Sequence, residues 1–345
     1  MTEQPRVSTG DTGSPCSPPV PWDPPGANAD AMRRRPRVRW FPLAAGLILL
    51  VPILWMALTA FGAVWHGHPA LPITLGAVGA VGIALVIVAF RPRRTRPSRH
   101  PRAYLTGSIL GLVLTAVLAG GLVWLTPFSA TPTALAAMSG TAQVQVIDRA
   151  TTIELRPIGR TPTVGLVFSP GARVDARAYV DVLLPQAEAG YLVVILKIPF
   201  GLGIVDIDQP AGPIAEHPEI GRWVVGGHSL GGTSASMFAA RRPAGVAGLL
   251  FYASYPNDDL SDRTDLAVAS VSGSNDGLAT PDKIDAHRAE LPPDTTYTVI
   301  EGGVHADFGD YGDQPGDGVP TIARADASAQ IAAATTALLR KVAAG

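Results

Sequence analysis

Ser229 lies in Gly227-His228-Ser229-Leu230-Gly231, a G-x-S-x-G pattern with an apolar run (223–225) before it and a small-residue stretch (233–240) after it. A strand-to-helix turn of this kind lifts a serine hydroxyl out of a sheet as a nucleophile. Its strained backbone excludes bulk two residues on either side, which glycine at 227 and 231 provides. The helix that follows points N–H groups and a positive dipole end at the site, where negative charge develops. A serine hydroxyl also needs a base, and the base needs an orienting acid. Acid and then histidine follow the serine in elbows of this type. Asp276 stands at the end of "ASVSGSNDG" and His305 just past "YTVIEGGV". Each follows a strand-like run, so a parallel sheet would bring them to one edge beside Ser229. Asp258 and Asp259, after the preceding strand, are rival acids, and Asn275-Asp276-Gly277 also reads as a plain turn. Among other histidines, His287 sits in a helix-like stretch, His228 is confined within the elbow, and His217 precedes the serine. An oxyanion hole requires two backbone donors. One is Leu230 N–H; the other is Gly171 or Ala172 in the loop after 163–169, since Pro170 has no N–H.

The elements that must position these residues alternate from about residue 141. Segments 142–148 and 151–158 alternate apolar and polar residues, as half-exposed strands do. Segments 163–169, 191–198, 222–227, 246–254, 265–273 and 296–301 are mostly continuously apolar, which suits parallel strands covered on both faces. Helix-like stretches cover 176–189, 229–241, 281–291 and 322–342. The expectation is an α/β domain with a mostly parallel sheet and right-handed crossovers. Only about ten residues (255–264) separate two of the strands, so no large lid is expected there.

With these residues in hand, 141–345 resembles the α/β-hydrolase superfamily, in particular its compact group related to dienelactone hydrolases. The resemblance rests on "SPGARVDARAY" with "AGYLVVILKIPFG", on "GGHSLGG", on "SGSNDG" and on "GGVHADFGDYGDQPGDG". It implies an α/β-hydrolase fold and a Ser229-Asp276-His305 triad acting on carboxylic esters or related acyl bonds, in the manner of a carboxylesterase or lipase, without metal or organic cofactor. Dienelactone hydrolases use a cysteine nucleophile; this chain has serine. The same acyl-enzyme could serve an acyltransferase, and an inactive hydrolase fold could serve as a binding or sensor domain.

The N-terminal part has another character. Three uncharged apolar runs, 41–64, 70–90 and 103–125, each reach the ~20 residues that cross a hydrocarbon core. Arginines at 33, 34, 35, 37 and 39 precede the first, and six more lie at 91–102, whereas the connection 65–69 carries only histidines. The positive-inside rule then puts the N-terminus in the cytoplasm and the hydrolase-like domain outside it, with Trp40, Trp65, Tyr104 and Trp124 at the interfaces. The expected organisation is a Pro-rich tail (1–39), three spans (40–125), a linker (126–140) and the α/β domain.

Residues 1–140 hold 12 Arg and 4 acidic residues, a net of +8, while 141–345 hold 15 basic and 24 acidic residues, a net of −9. Arginines flanking membrane spans are explained by topology and anionic lipid, and the acidic domain argues against a nucleic-acid partner. The expected partners are a small acyl substrate and membrane lipid. The single cysteine, Cys16, lies in the tail, which excludes disulfides from the domain. An Arg:Lys count of 24 to 3 fits a GC-rich bacterial genome. Asp307, Asp310, Asp313 and Asp317 recur in one Gly-rich loop but lack the 1-3-5 ligand spacing and terminal Glu of a calcium loop. Phe308 and Tyr311 are candidates to line the pocket.

Overall fold

The computed structural model describes residues 1–2, 4, 38–91 and 101–345. The Pro-rich tail with Cys16, and most of both arginine clusters, lie outside the described residues.

Among the described residues, three helices are long and apolar enough to cross a membrane: α1 (Trp40–Thr59), α3 (Ala70–Phe90) and α4 (Pro101–Trp124). The first run does not continue as one helix to residue 64. Ala60 leaves the helical region (φ −144°), and a short α2 (Phe61–His66) follows. α1 and α3 form an antiparallel pair, with Arg39 N–H bonded to Ala89 O at its far end. The connection 67–69 and the end of α4 both lie beside the α/β domain: Leu71, Leu75 and Met56 cluster with Leu125 and with Phe200 of the domain.

The segment expected as a linker packs onto the domain. Pro132–Ala137 forms α5, with Pro132 in its first turn and Thr131 Oγ1 accepting from Ala134 N–H, and Ala134 is fully buried. Six residues with one buried alanine stripe give almost no periodic signal, which is why sequence reading passes over this helix.

The domain continues with β1 (Val144–Asp148), β2 (Thr152–Pro157), β3 (Val164–Ser169), α6 (Val180–Glu188), β4 (Leu192–Leu196), α7 (Ala211–Glu216), β5 (Arg222–His228), α8 (Leu230–Ala240), β6 (Val246–Tyr252), β7 (Ala267–Gly273), α9 (Pro281–Ala286), β8 (Thr296–Ile300) and α10 (Arg324–Ala344). The eight strands make one sheet in the order β1-β2-β4-β3-β5-β6-β7-β8. β1, β2 and β4 pair antiparallel; every pairing from β4 to β8 is parallel. Side chains alternate between two cores, as a period of two requires. Leu166, Phe168, Val193, Ile195, Val224, Leu250 and Tyr252 face α6 and α10, whereas Val167, Val194, Val225, Leu249 and Phe251 face α8. Each such fully buried side chain contributes about 1.5–3 kcal/mol.

β3 pairs with both β4 and β5, so the chain leaves β3 toward one side of the sheet and resumes on the other at β5. A crevice opens at the carboxyl ends of strands where the order reverses in this way. The loop after β3 and the turn after β5 meet there, and these carry the oxyanion candidates and Ser229.

Candidate active site

Ser229 is the residue between β5 and α8, half-buried, with φ 52° and ψ −126°. Such a backbone costs a non-glycine residue of order 1–3 kcal/mol and persists only where its surroundings enforce it. Here they do. Ser229 N–H donates to Tyr252 O (2.9 Å), and Ser254 Oγ donates to Ser229 O (2.7 Å). The glycines of the motif are sterically obligatory: a Cβ at Gly231 would stand 2.1 Å from Ser169 O, and one at Gly227 2.5 Å from the same atom. The elbow is thus pressed onto the end of β3, which brings the 170–174 loop beside it. Leu230 is the first residue of α8, so its N–H belongs to the unpaired first turn of that helix.

Asp276 follows β7, and His305 opens a 3-10 turn (305–308) after β8; both are buried. His305 Nδ1 is 2.8 Å from Asp276 Oδ2, and Asp276 Oδ1 accepts from Leu278 N–H and Ala279 N–H at 2.7 Å each. The carboxylate is therefore fixed by the backbone and holds the imidazole by one nitrogen. His305 Nε2 is buried without a hydrogen-bond partner. The His305 ring lies 4.5 Å from that of His228, the residue adjoining Ser229.

Asp317 holds the Asp276 and His305 loops together. Its Oδ1 accepts from Gly277 N–H and His305 N–H (3.1 Å each) and from Gly318 N–H (2.7 Å); its Oδ2 accepts from Ala306 N–H (2.9 Å). Sequence reading counts Asp317 only as one of four loop aspartates. The others also have separate duties: Asp307 Oδ2 accepts from Val304 N–H, Asp310 Oδ2 accepts from Thr131 Oγ1, and Asp313 is exposed. The regular spacing of these four residues thus hides unrelated roles.

Behind the 170–174 loop, Tyr179 OH accepts from Gly171 N–H (2.9 Å) and is hydrogen-bonded to His228 Nδ1 (2.8 Å). Burial, with His305 alongside, holds His228 well below the usual imidazole range, so it is neutral at pH 7. Burial pushes Tyr179 upward and keeps its phenol protonated. Of the two candidates for the second donor, Gly171 thus has its N–H directed to Tyr179. Phe308 packs 6.1 Å from His228 and 5.5 Å from Tyr252, in the core. Tyr311 packs at a tilt against Phe128 and donates to Gln314.

The rival residues lie elsewhere. Asp258 and Asp259 are exposed, the latter accepting from Ser261 N–H. His287 stacks on Tyr255 with its Nδ1 at Lys283 O, and His217 is bonded to Glu219. Among the described residues, no group of three or more His, Cys, Asp or Glu is arranged to hold a metal ion.

No curated protein matches the chain significantly. Residues 165–329, from β3 into α10, match the family model described as "Alpha/beta hydrolase family". That span contains Ser229, Asp276 and His305 with the loops that carry them, and the domain built around it is an α/β-hydrolase domain.

Proposed function

We propose that this protein is a membrane-anchored serine hydrolase that cleaves carboxylic esters through Ser229, His305 and Asp276. The observation that carries this reading is the buried Asp276–His305 pair, whose remaining imidazole nitrogen has no partner and whose ring packs on that of His228, the residue adjoining Ser229 in a strained elbow.

In this account Asp276 keeps the His305 tautomer with hydrogen on Nδ1, leaving Nε2 as the base. His305 takes the proton of Ser229 Oγ as the oxygen attacks the ester carbonyl. The oxyanion is held by Leu230 N–H and Ala172 N–H, a pair in which each donor supplies about 3 kcal/mol to the transition state. His305 then protonates the leaving alkoxide and, in the second half, activates water against the acyl-Ser229 ester. Neutral His228 adds no competing charge beside the imidazolium that forms. The short connection between β6 and β7, with no room there for a large lid, supports a compact, dienelactone-hydrolase-like esterase with an open site, its nucleophile a serine in place of that group's cysteine. The arginines flanking α1, and those between α3 and α4, support a cytoplasmic N-terminus and an extracytoplasmic hydrolase domain.

Full-length protein in detergent is expected to hydrolyse p-nitrophenyl butyrate, and acid quenching during turnover is expected to trap a butyryl group on the Ser229 peptide. Equal turnover by Ser229→Ala would refute the reading. Adding a primary alcohol separates hydrolysis from acyl transfer by the butyrate ester it would yield.

A further inference from the structure

A narrow cleft, open to solvent, lies where the membrane helices meet the hydrolase domain. One wall comes from α2, the 67–69 connection and the start of α3; the other comes from the loops after β3 and β4. Val64, Leu71, Val174, Ile198 and Phe200 make it largely apolar, and Phe61 and Trp65 stand exposed on α2 beside it.

Among the side chains that line the cleft, the unpaired charge is positive, while the exposed Asp206 carboxylate lies close enough to act on His68. Lys197 is paired with Asp148 (2.5 Å) and bonded to Arg149 O (2.6 Å), and Asp175 is paired with Arg177 (2.6 Å). Burial holds His68 below the usual imidazole range, so it is neutral at pH 7. Arg173 has no carboxylate within ion-pair distance among the described residues. It lies over the rings of Trp124 (4.6 Å) and Phe128 (4.9 Å), donates from Nη1 to Trp124 O, and leaves Nε buried without a partner.

This cleft adjoins the proposed catalytic groups. Arg173 directly follows Ala172, and its N–H donates to Gly201 O (2.7 Å). Two residues on, Gly203 is packed so close to α8 that a Cβ would stand 2.3 Å from Ser234 Oγ and 3.6 Å from Leu230 O. Arg173 and Phe200 both hold left-handed backbones, with φ of 60° and 56°. Non-glycine residues kept in that region cluster at ligand clamps.

We propose that the junction cleft is the subsite for an anionic membrane lipid ester, with its acidic group at Arg173 and its hydrocarbon along Val64, Leu71 and Phe200. This rests on the hydrolase reading and gives its substrate class. The membrane helices then form one wall of the substrate pocket. An acidic group a few bonds from a carboxylic ester, as in a glycerophospholipid, would reach Arg173 while the ester carbonyl reaches Ala172 and Ser229. Attack transfers the acyl group to Ser229 with release of the lipid alcohol, and water then releases the acid.

The test uses full-length Ser229→Ala protein in phosphatidylcholine nanodiscs containing trace photoactivatable phosphatidylglycerol or, separately, photoactivatable diacylglycerol, which carries the esters without an acidic group. Crosslinks from the anionic probe are expected at 64–71 and 197–201, at about tenfold the yield of the neutral probe, the factor expected of one charge-assisted contact. Arg173→Gln is expected to erase the preference and Leu71→Trp to lower the yield, whereas Val113→Trp, on the exposed face of α4, leaves it unchanged. Crosslinks confined to exposed α3 and α4 positions, or equal yields from the two probes at the cleft, would overturn the proposal. Because the probe map needs no turnover, an occupied cleft in a protein whose Ser229 proves inert would count against the hydrolase reading and not against the subsite.

Discussion

The two sides of the candidate site are built by different means. The Ser229 side is local: Gly227 to Gly231 are consecutive, and the strain at Ser229 is enforced by backbone contacts with the ends of β3 and β6. The Asp276–His305 side is assembled across some forty residues, from the loops after β7 and β8, and is joined by the carboxylate of Asp317. One side depends on steric fit, and the other on a hydrogen-bonded polar network. Steric fit should fail through loss of fold, and a polar network through loss of catalytic geometry with the fold retained.

The largest effect is expected on the polar side. Asp276→Asn should lower kcat by about 10⁴-fold, as loss of the correct histidine tautomer does in triads, while leaving the melting temperature within a few degrees; steady-state kinetics and a thermal scan check both. On the steric side, Gly231→Ala puts a Cβ against two carbonyl oxygens, Ser169 O at 2.1 Å and Pro170 O at 2.3 Å. It should cost about 3 kcal/mol of stability or more, seen as a large drop in thermal midpoint or loss of soluble expression in detergent. A variant as stable as wild type would remove the contrast.

Asp317→Asn sharpens it. An amide cannot accept from all four N–H groups, so the His305 loop shifts while the sheet stays. The expected result is a ten- to hundredfold loss in kcat, roughly what a misplacement near 1 Å costs, with KM unchanged. Equal loss of stability and kcat would assign Asp317 a structural role only.

The smallest effect lies farther from the serine. Burial, and then the Asp310 carboxylate, push Asp181 up to about 6. Its folded value is above its unfolded one, so the stability it contributes is full below about pH 4 and lost as pH rises through 6. Asp181→Asn should therefore flatten the thermal midpoint between pH 4 and 6 and stabilise the protein above pH 6 by about 1 kcal/mol after allowance for partial exposure. A steeper pH dependence in the variant would contradict this.

The same division explains what the sequence made legible. The elbow is a contiguous pattern, and the strands are short apolar runs whose observed bounds fall within a few residues of those expected. Asp276 and His305 could be named from strand ends and chain order. Asp317, the Tyr179–His228 pair behind Gly171, and the packing of α5 through Ala134 could not. They join residues remote in sequence through single polar or small side chains, and such contacts leave no periodicity to read. The end of α1 at Thr59 was likewise hidden, because residues 41–64 are apolar throughout and mark no break.

The most direct test of the central claim is fluorophosphonate labelling of the full-length protein in detergent, with the modified peptide identified by mass spectrometry. The account predicts a single adduct on Ser229 that is lost in His305→Ala. An unlabelled Ser229 in folded protein, or equal labelling of His305→Ala, would contradict an activated serine with His305 as its base.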